Sequence, residues 1–295
     1  MSEIRKVGVL GGGLMGSGIA QVCAQAGFET IVREISDPLA ETSRRSIEKV
    51  LGKGIEKGKV TPEERDAALA KLAFTSDIGA LGECDIILEA IAEDLTLKNG
   101  LLKELNDMCS GETIFASNTS SLTIAAMAAA SGRPDRMLGL HFFNPVPLMK
   151  LVEVVRTITT SDETATTAFG FVQTLGKEPI QARDSSGFVV NLLLVPYMLD
   201  AIRALEGNVA TVADIDKGMQ LGAGHPMGPF TLLDFVGLDT CYNIAEIMFS
   251  EYREKRYAPP PLLKRMVLAG MFGRKSGKGF YDYAEDPPRV SALGL

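Results

Sequence analysis

Apolar residues in the first half of the chain come in short unbroken runs that alternate with stretches at helical spacing. Residues 6–10 read as a buried strand. A glycine turn follows, and then small apolar residues (Ile19, Ala20, Val22, Ala24, Ala26) at helical spacing, ended by Gly27. A second run, 28–34, closes on Glu34. The pattern then predicts a helix from Pro38 to about Lys57. Thr61 and Pro62 open another, as N-cap and first helical residue, that runs to about Leu72. Further strands are expected at 72–75, 85–90, 113–116, 137–140 and 151–155, with an edge strand at 178–180. Helices are expected at 95–108 and 164–175, and an Ala-rich one after Ser121, which Ser121 or a neighbour would cap.

Strands that alternate with helices, and that are apolar throughout rather than every second residue, point to a parallel sheet covered on both faces. Beyond Asp184-Ser185-Ser186-Gly187 the period becomes helical. A long apolar helix runs to about Leu205 and a second starts at Thr211. A third spans about 230–253, interrupted near Gly237, and a short one follows Pro259–Pro261. The expected fold is α/β: a Rossmann-like doubly wound sheet over residues 1–186, then an all-α domain over 187–295. The apolar helices of the second domain are expected to bury surface against the first or against a second subunit.

The first turn carries the most specific local chemistry. Gly11, Gly13 and Gly16 fit G-x-G-x-x-G between a strand and a helix. Such glycines allow a tight turn, close approach of a pyrophosphate, and close helix–strand packing. The helix start aims unpaired N–H groups at an anion. Glu34, 18 positions after Gly16, stands near where a ribose-binding acid is expected. An ordinary βαβ unit with a chance surface acid is the bland alternative. Strand, turn, helix, strand and acid in that order favour a dinucleotide.

Composition narrows the partners. A net charge of −7 opposes nucleic-acid binding through phosphates. The four cysteines (Cys23, Cys84, Cys109, Cys241) lack C-x-x-C spacing and read as apolar residues of a reducing compartment, not a disulfide frame or metal site. No run reaches the ~18 apolar residues of a membrane span. A first strand starting by Ile4 leaves no room for a leader, so a cytoplasmic protein is expected.

Other candidates cluster at strand ends. Glu93 and Lys98 follow the 85–90 strand and, from position alone, read as surface charges. Ser117-Asn118-Thr119-Ser120-Ser121 is more polar than a cap requires and suits a substrate-facing loop. His141, one of two histidines, closes a strand beside Asn144 and Pro145 and reads as catalytic. Glu153 lies among valines and needs a partner, His141 or an arginine. Arg45, Lys49, Lys53 and Lys57 recur every four residues, a positive stripe that fits either solvent or an anionic ligand.

Taken together, these stretches resemble the short-chain L-3-hydroxyacyl-CoA dehydrogenase family, and within it the bacterial 3-hydroxybutyryl-CoA dehydrogenases. The carriers are residues 10–20, ASNTSSL at 116–122, HFFNPVPLMKLVEV at 141–154, GFVVN at 187–191, HPMGP at 225–229 and GRKSGKGFY at 273–281. The resemblance implies NAD-dependent, reversible oxidation of (S)-3-hydroxyacyl-CoA. It assigns His141 as the catalytic base, Glu153 as its partner, Ser120 to the substrate oxygen and Asn191 to the active site. It places NAD contacts on Gly11, Gly12, Gly13, Leu14, Met15, Gly16, Glu34, Glu93, Lys98, Ser120, Asn144 and Lys275. CoA contacts fall on Ser46 and Lys53, with Ser120 at the acyl end. Glu34 stands where the family usually has Asp; either acid binds ribose hydroxyls. A homodimer is implied too. Two rivals are a free hydroxy-acid dehydrogenase, which would not need the lysine stripe, and a non-catalytic NAD-binding protein, which would not need an intact Ser120, His141, Glu153 and Asn191.

Overall fold

The computed structural model describes residues 4–293. It divides into two compact units, Met1–Ser185 and Ser186–Leu295.

In the first unit the glycine turn separates β1 (Lys6–Leu10) from α1 (Leu14–Gln25), and the chain returns through β2 (Glu29–Arg33). Then come α2 (Asp37–Glu56), α3 (Pro62–Ala70), β3 (Leu72–Thr75), β4 (Ile86–Glu89) and α4 (Leu95–Met108). The remainder is β5 (Ile114–Ser117), α5 (Ile124–Ala130), β6 (Met137–Phe142), β7 (Leu151–Arg156), α6 (Asp162–Thr174) and β8 (Glu178–Arg183). The eight strands form one sheet in the order β3-β2-β1-β4-β5-β6-β7-β8. Neighbours are parallel except β6 and β7, which run antiparallel. Strand order reverses between β1 and β4, the crevice where open α/β sheets bind ligands. Central strands carry no exposed apolar side chain: Val7, Val9, Ile86, Ile87, Leu88 and Phe115 are wholly buried.

Two local expectations change. The helix after Thr61 keeps its capping box, Thr61 with Glu64, but ends at Ala70, because Leu72 already pairs in β3. Ser121 does not cap α5. Thr123 holds the N-cap position without a side-chain bond, and Asp184 takes the N–H groups of Ile124 and Ala125 at 3.0 and 2.6 Å. The cap comes from 60 residues away, so no local signal announces it.

The second unit is built from α7 (Val190–Glu206), α8 (Val212–Ala223), α9 (Pro229–Val236), α10 (Leu238–Tyr252) and α11 (Pro261–Leu268). It also holds a small ribbon of β9 (Tyr281–Asp282) and β10 (Arg289–Val290). Gly237, at φ +101, makes the break between α9 and α10. Leu199, Ile202, Phe230, Leu233 and Phe280 form its core. Two buried aspartates organise its loops. Asp216 accepts from the backbone of Phe230 and Thr231, and Asp234 from that of Phe280 and Tyr281. Burial holds the Asp234 carboxyl above its usual range. Three of the cysteines, Cys23, Cys84 and Cys241, are buried and Cys109 is partly so. Burial pushes the Cys84 and Cys241 thiols up to about 12.

Candidate active site

Each glycine of the first turn has a distinct physical reason. Gly11 sits at φ +93, where a Cβ would fall 2.8 Å from the Ala90 carbonyl oxygen. A Cβ on Gly12 would strike the Ser43 hydroxyl at 2.2 Å, and one on Gly16 the Gly11 carbonyl at 1.8 Å. Gly13 differs. No atom lies within 4 Å of where its Cβ would be, and its φ of −64 suits any residue. The protein's own packing therefore does not demand glycine there, and the space beside it is open to an outside group. Gly13 is also the N-cap of α1. It offers no side-chain cap, and no acidic residue stands in the first turn, so α1 itself leaves its positive end uncompensated. Glu34 follows β2 and accepts from Gly12 N at 2.7 Å, which puts the acid on the turn itself. An open backbone cradle with a carboxylate at its side fits a dinucleotide.

His141 and Glu153 come together through the sheet. They are register partners on the antiparallel strands β6 and β7. His141 Nδ1 lies 2.6 Å from Glu153 Oε2, with the histidine 6% and the glutamate 0% exposed. The two alternatives for the partner of Glu153 thus resolve to the histidine. Because the pair is buried, a positive charge arising on the ring would be screened less than at the surface. The Phe143 ring packs on the imidazole at 4.5 Å between centroids.

The polar loop after β5 lies beside this pair. Asn118 Oδ1 accepts from Phe142 N at 2.9 Å, tying the loop to the end of β6. Ser120 is half-buried in that loop. Its neighbours turn the other way: Ser117, Thr119 and Ser121 all donate to carboxylates of Glu89 or Glu93. Lys98 is not a surface charge. It is 1% exposed and sits between Glu89 at 2.6 Å and Glu93 at 3.2 Å. Glu89, an acid inside the apolar run 85–90, carries the same sequence signal as Glu153 among its valines and is likewise fully buried.

A cavity of about 510 Å³ opens in the first unit between α1, α2 and the turn after β6. Ser46, Val50 and Lys53 line it from α2 and Lys57 from the C-cap of that helix, with Leu14 from α1 and Asn144 and Leu148 from the turn. The lysine stripe therefore splits. Arg45 turns to Glu41 at 3.1 Å, while Lys53 and Lys57 reach the cavity, because four-residue spacing drifts around a 3.6-residue helix. The turn itself rests on a buried lysine. Lys177 Nζ donates to Val146 O and Met149 O at 2.6 and 2.9 Å, and burial lowers its pKa.

Asn191 and Lys275 belong to the second unit. Asn191 is half-buried in the first turn of α7. Lys275 Nζ pairs with Asp239 at 2.5 Å, on a loop whose Gly273 and Gly279 wrap closely around Asp234.

Comparisons with known proteins show the family. Residues 6–185 match the family model described as 3-hydroxyacyl-CoA dehydrogenase, NAD binding domain, and residues 187–283 match its C-terminal domain. The chain is 50% identical over 282 residues to 3-hydroxybutyryl-CoA dehydrogenase of Mycobacterium tuberculosis, covering 95% of this chain and 99% of that one. It is 44% identical over 287 residues to the mitochondrial hydroxyacyl-coenzyme A dehydrogenase of Sus scrofa, covering 95% and 91%. The crystal structure of (S)-3-hydroxybutyryl-CoA dehydrogenase from Ralstonia eutropha superposes with a TM-score of 0.93 at 40% identity, covering 96% of this chain and 100% of that one.

Proposed function

Since this chain belongs to the 3-hydroxyacyl-CoA dehydrogenase family, we propose that it interconverts (S)-3-hydroxyacyl-CoA and 3-oxoacyl-CoA with NAD⁺ and NADH. Short acyl chains, 3-hydroxybutyryl-CoA first, are the proposed substrates. The observation that carries the reading is the buried His141–Glu153 pair on the same sheet edge as an open glycine turn.

The reaction removes a hydride from the hydroxyl-bearing carbon and a proton from its oxygen. NAD⁺, when bound, supplies the hydride acceptor. Nδ1 of His141 is held by Glu153, so Nε2 takes the hydroxyl proton, and the carboxylate stabilises the imidazolium that results. As the proton leaves, the O–H pair becomes the second bond of the ketone. Ser120 hydrogen-bonds the substrate oxygen. Gly11 to Gly16 and Glu34 hold the dinucleotide, with Glu93, Lys98 and Asn144 contributing. Ser46 and Lys53, on the cavity wall, hold the CoA moiety, where a local cation offsets the −7 of the whole chain.

We also propose a homodimer, supported by exposed Leu193, Leu221 and Leu268 on helices of the second unit. Among the described residues no helix is long and apolar enough to cross a membrane; cytoplasmic residence is part of the same proposal. The test is initial rates with acetoacetyl-CoA and longer 3-oxoacyl-CoA, each with NADH and NADPH, against the free 3-oxo acids. Turnover of free acids as fast as of the esters would replace this reading by the free-acid one. NAD⁺ binding without turnover of any ester would replace it by a non-catalytic one.

A further inference from the structure

Three charged side chains meet at the carboxyl end of β4. Glu89 is fully buried, Lys98 nearly so, and the Glu93 side chain is 35% exposed. Lys98 Nζ contacts both carboxylates, and three hydroxyls donate into them. Two carboxylates against one ammonium leave a formal charge of minus one. Among the described residues no second cation pairs with either glutamate.

Topology fixes where that charge falls. β4 lies between β1, which leads into the glycine turn, and β5, which leads into Ser120; β6, with His141, is next. The turn touches the same segment, since a Cβ on Gly11 would meet Ala90 and Ile91. A dinucleotide with its phosphates at the turn, and its reacting ring against an alcohol held by Ser120 and His141, has to cross the end of β4. The nicotinamide ring is cationic when oxidised and neutral when reduced.

We infer that the Glu89–Lys98–Glu93 cluster sets the preference of the site for one redox form of its cofactor, with Glu93 supplying the uncompensated charge. The inference rests on the function proposed above. Negative charge stabilises the cationic ring and leaves the neutral one unaffected, so NAD⁺ is held in preference to NADH. Lys98 limits that preference by neutralising one of the two carboxylates. By the thermodynamic cycle, the same factor biases the bound reactants toward NAD⁺ and the alcohol.

The experiment measures Kd of wild type, Glu93→Gln and Glu93→Asp for NAD⁺, NADH and ADP-ribose by calorimetry. Glu93→Gln should weaken NAD⁺ on the order of tenfold, as the loss of one partly screened charge would. NADH and ADP-ribose should stay within about twofold. Glu93→Asp should keep the wild-type NAD⁺-to-NADH ratio. An equal change for NAD⁺ and NADH, or none for NAD⁺, overturns the inference. If wild type binds neither ADP-ribose nor NAD⁺, it is the functional reading that fails. Should Glu93→Gln lose ADP-ribose binding, and hence its fold, the wild-type ratio against salt decides. It falls with added salt if charge sets it, and a flat ratio overturns the inference.

Discussion

Replacing Glu153 by Gln removes one charge and almost no volume from the interior. The side chain is fully buried, and its Oε2 lies 2.6 Å from Nδ1 of a histidine that is itself 6% exposed. The glutamine oxygen can still accept from Nδ1–H, so the ring stays oriented and the loss is electrostatic. Unit charges about 4 Å apart in a medium of effective dielectric about 20 attract by about 4 kcal/mol. That attraction exists only once the imidazole has accepted the substrate proton. It should therefore appear in the barrier and not in substrate binding, as a fall in kcat of about a thousandfold with KM nearly constant. The assay is steady-state reduction of NAD⁺ with saturating (S)-3-hydroxybutyryl-CoA, beside a thermal melt to show that the variant is folded. A loss below tenfold, matched by an equally mild His141→Ala, would remove the acid–base roles from this pair. A thousandfold loss accompanied by a collapsed melting transition would be a folding effect instead.

Gly13→Ala should raise the Kd for NAD⁺ at least about tenfold and leave Tm nearly unchanged, because its Cβ meets nothing within the protein. Gly16→Ala should lower Tm clearly, its Cβ falling 1.8 Å from a backbone oxygen. Lys53→Ala should raise KM for the CoA ester roughly five- to tenfold with kcat constant, as loss of uniform binding does. Arg45→Ala, whose guanidinium turns to Glu41, should change neither constant; an equal effect of both would return the stripe to solvent. Asp184→Ala should cost about 1–2 kcal/mol by denaturant titration, since it uncaps α5. A midpoint like that of wild type would show that water replaces the carboxylate there.

Much of the fold is legible in the chain itself. Local rules placed β1, the glycine turn, α1 and Glu34, since turn, helix and strand signals all act within a few residues of one another. The same holds for the capped start of α3 and the break at Gly237. A carboxylate among valines needs a partner, because burial without compensation is costly wherever it occurs; that marked Glu153 and left His141 or an arginine to answer it.

Tertiary structure decided what depends on distant pairing. That β7 runs antiparallel to β6, which sets Glu153 opposite His141, follows from a turn geometry that no hydrophobic period encodes. The burial of Lys98 between Glu89 and Glu93, the capping of α5 by Asp184, and the split of the lysine stripe between cavity and solvent are of the same kind. Charges and caps are satisfied by whatever the fold brings near, and nearness across 60 residues is a property of packing, not of sequence spacing.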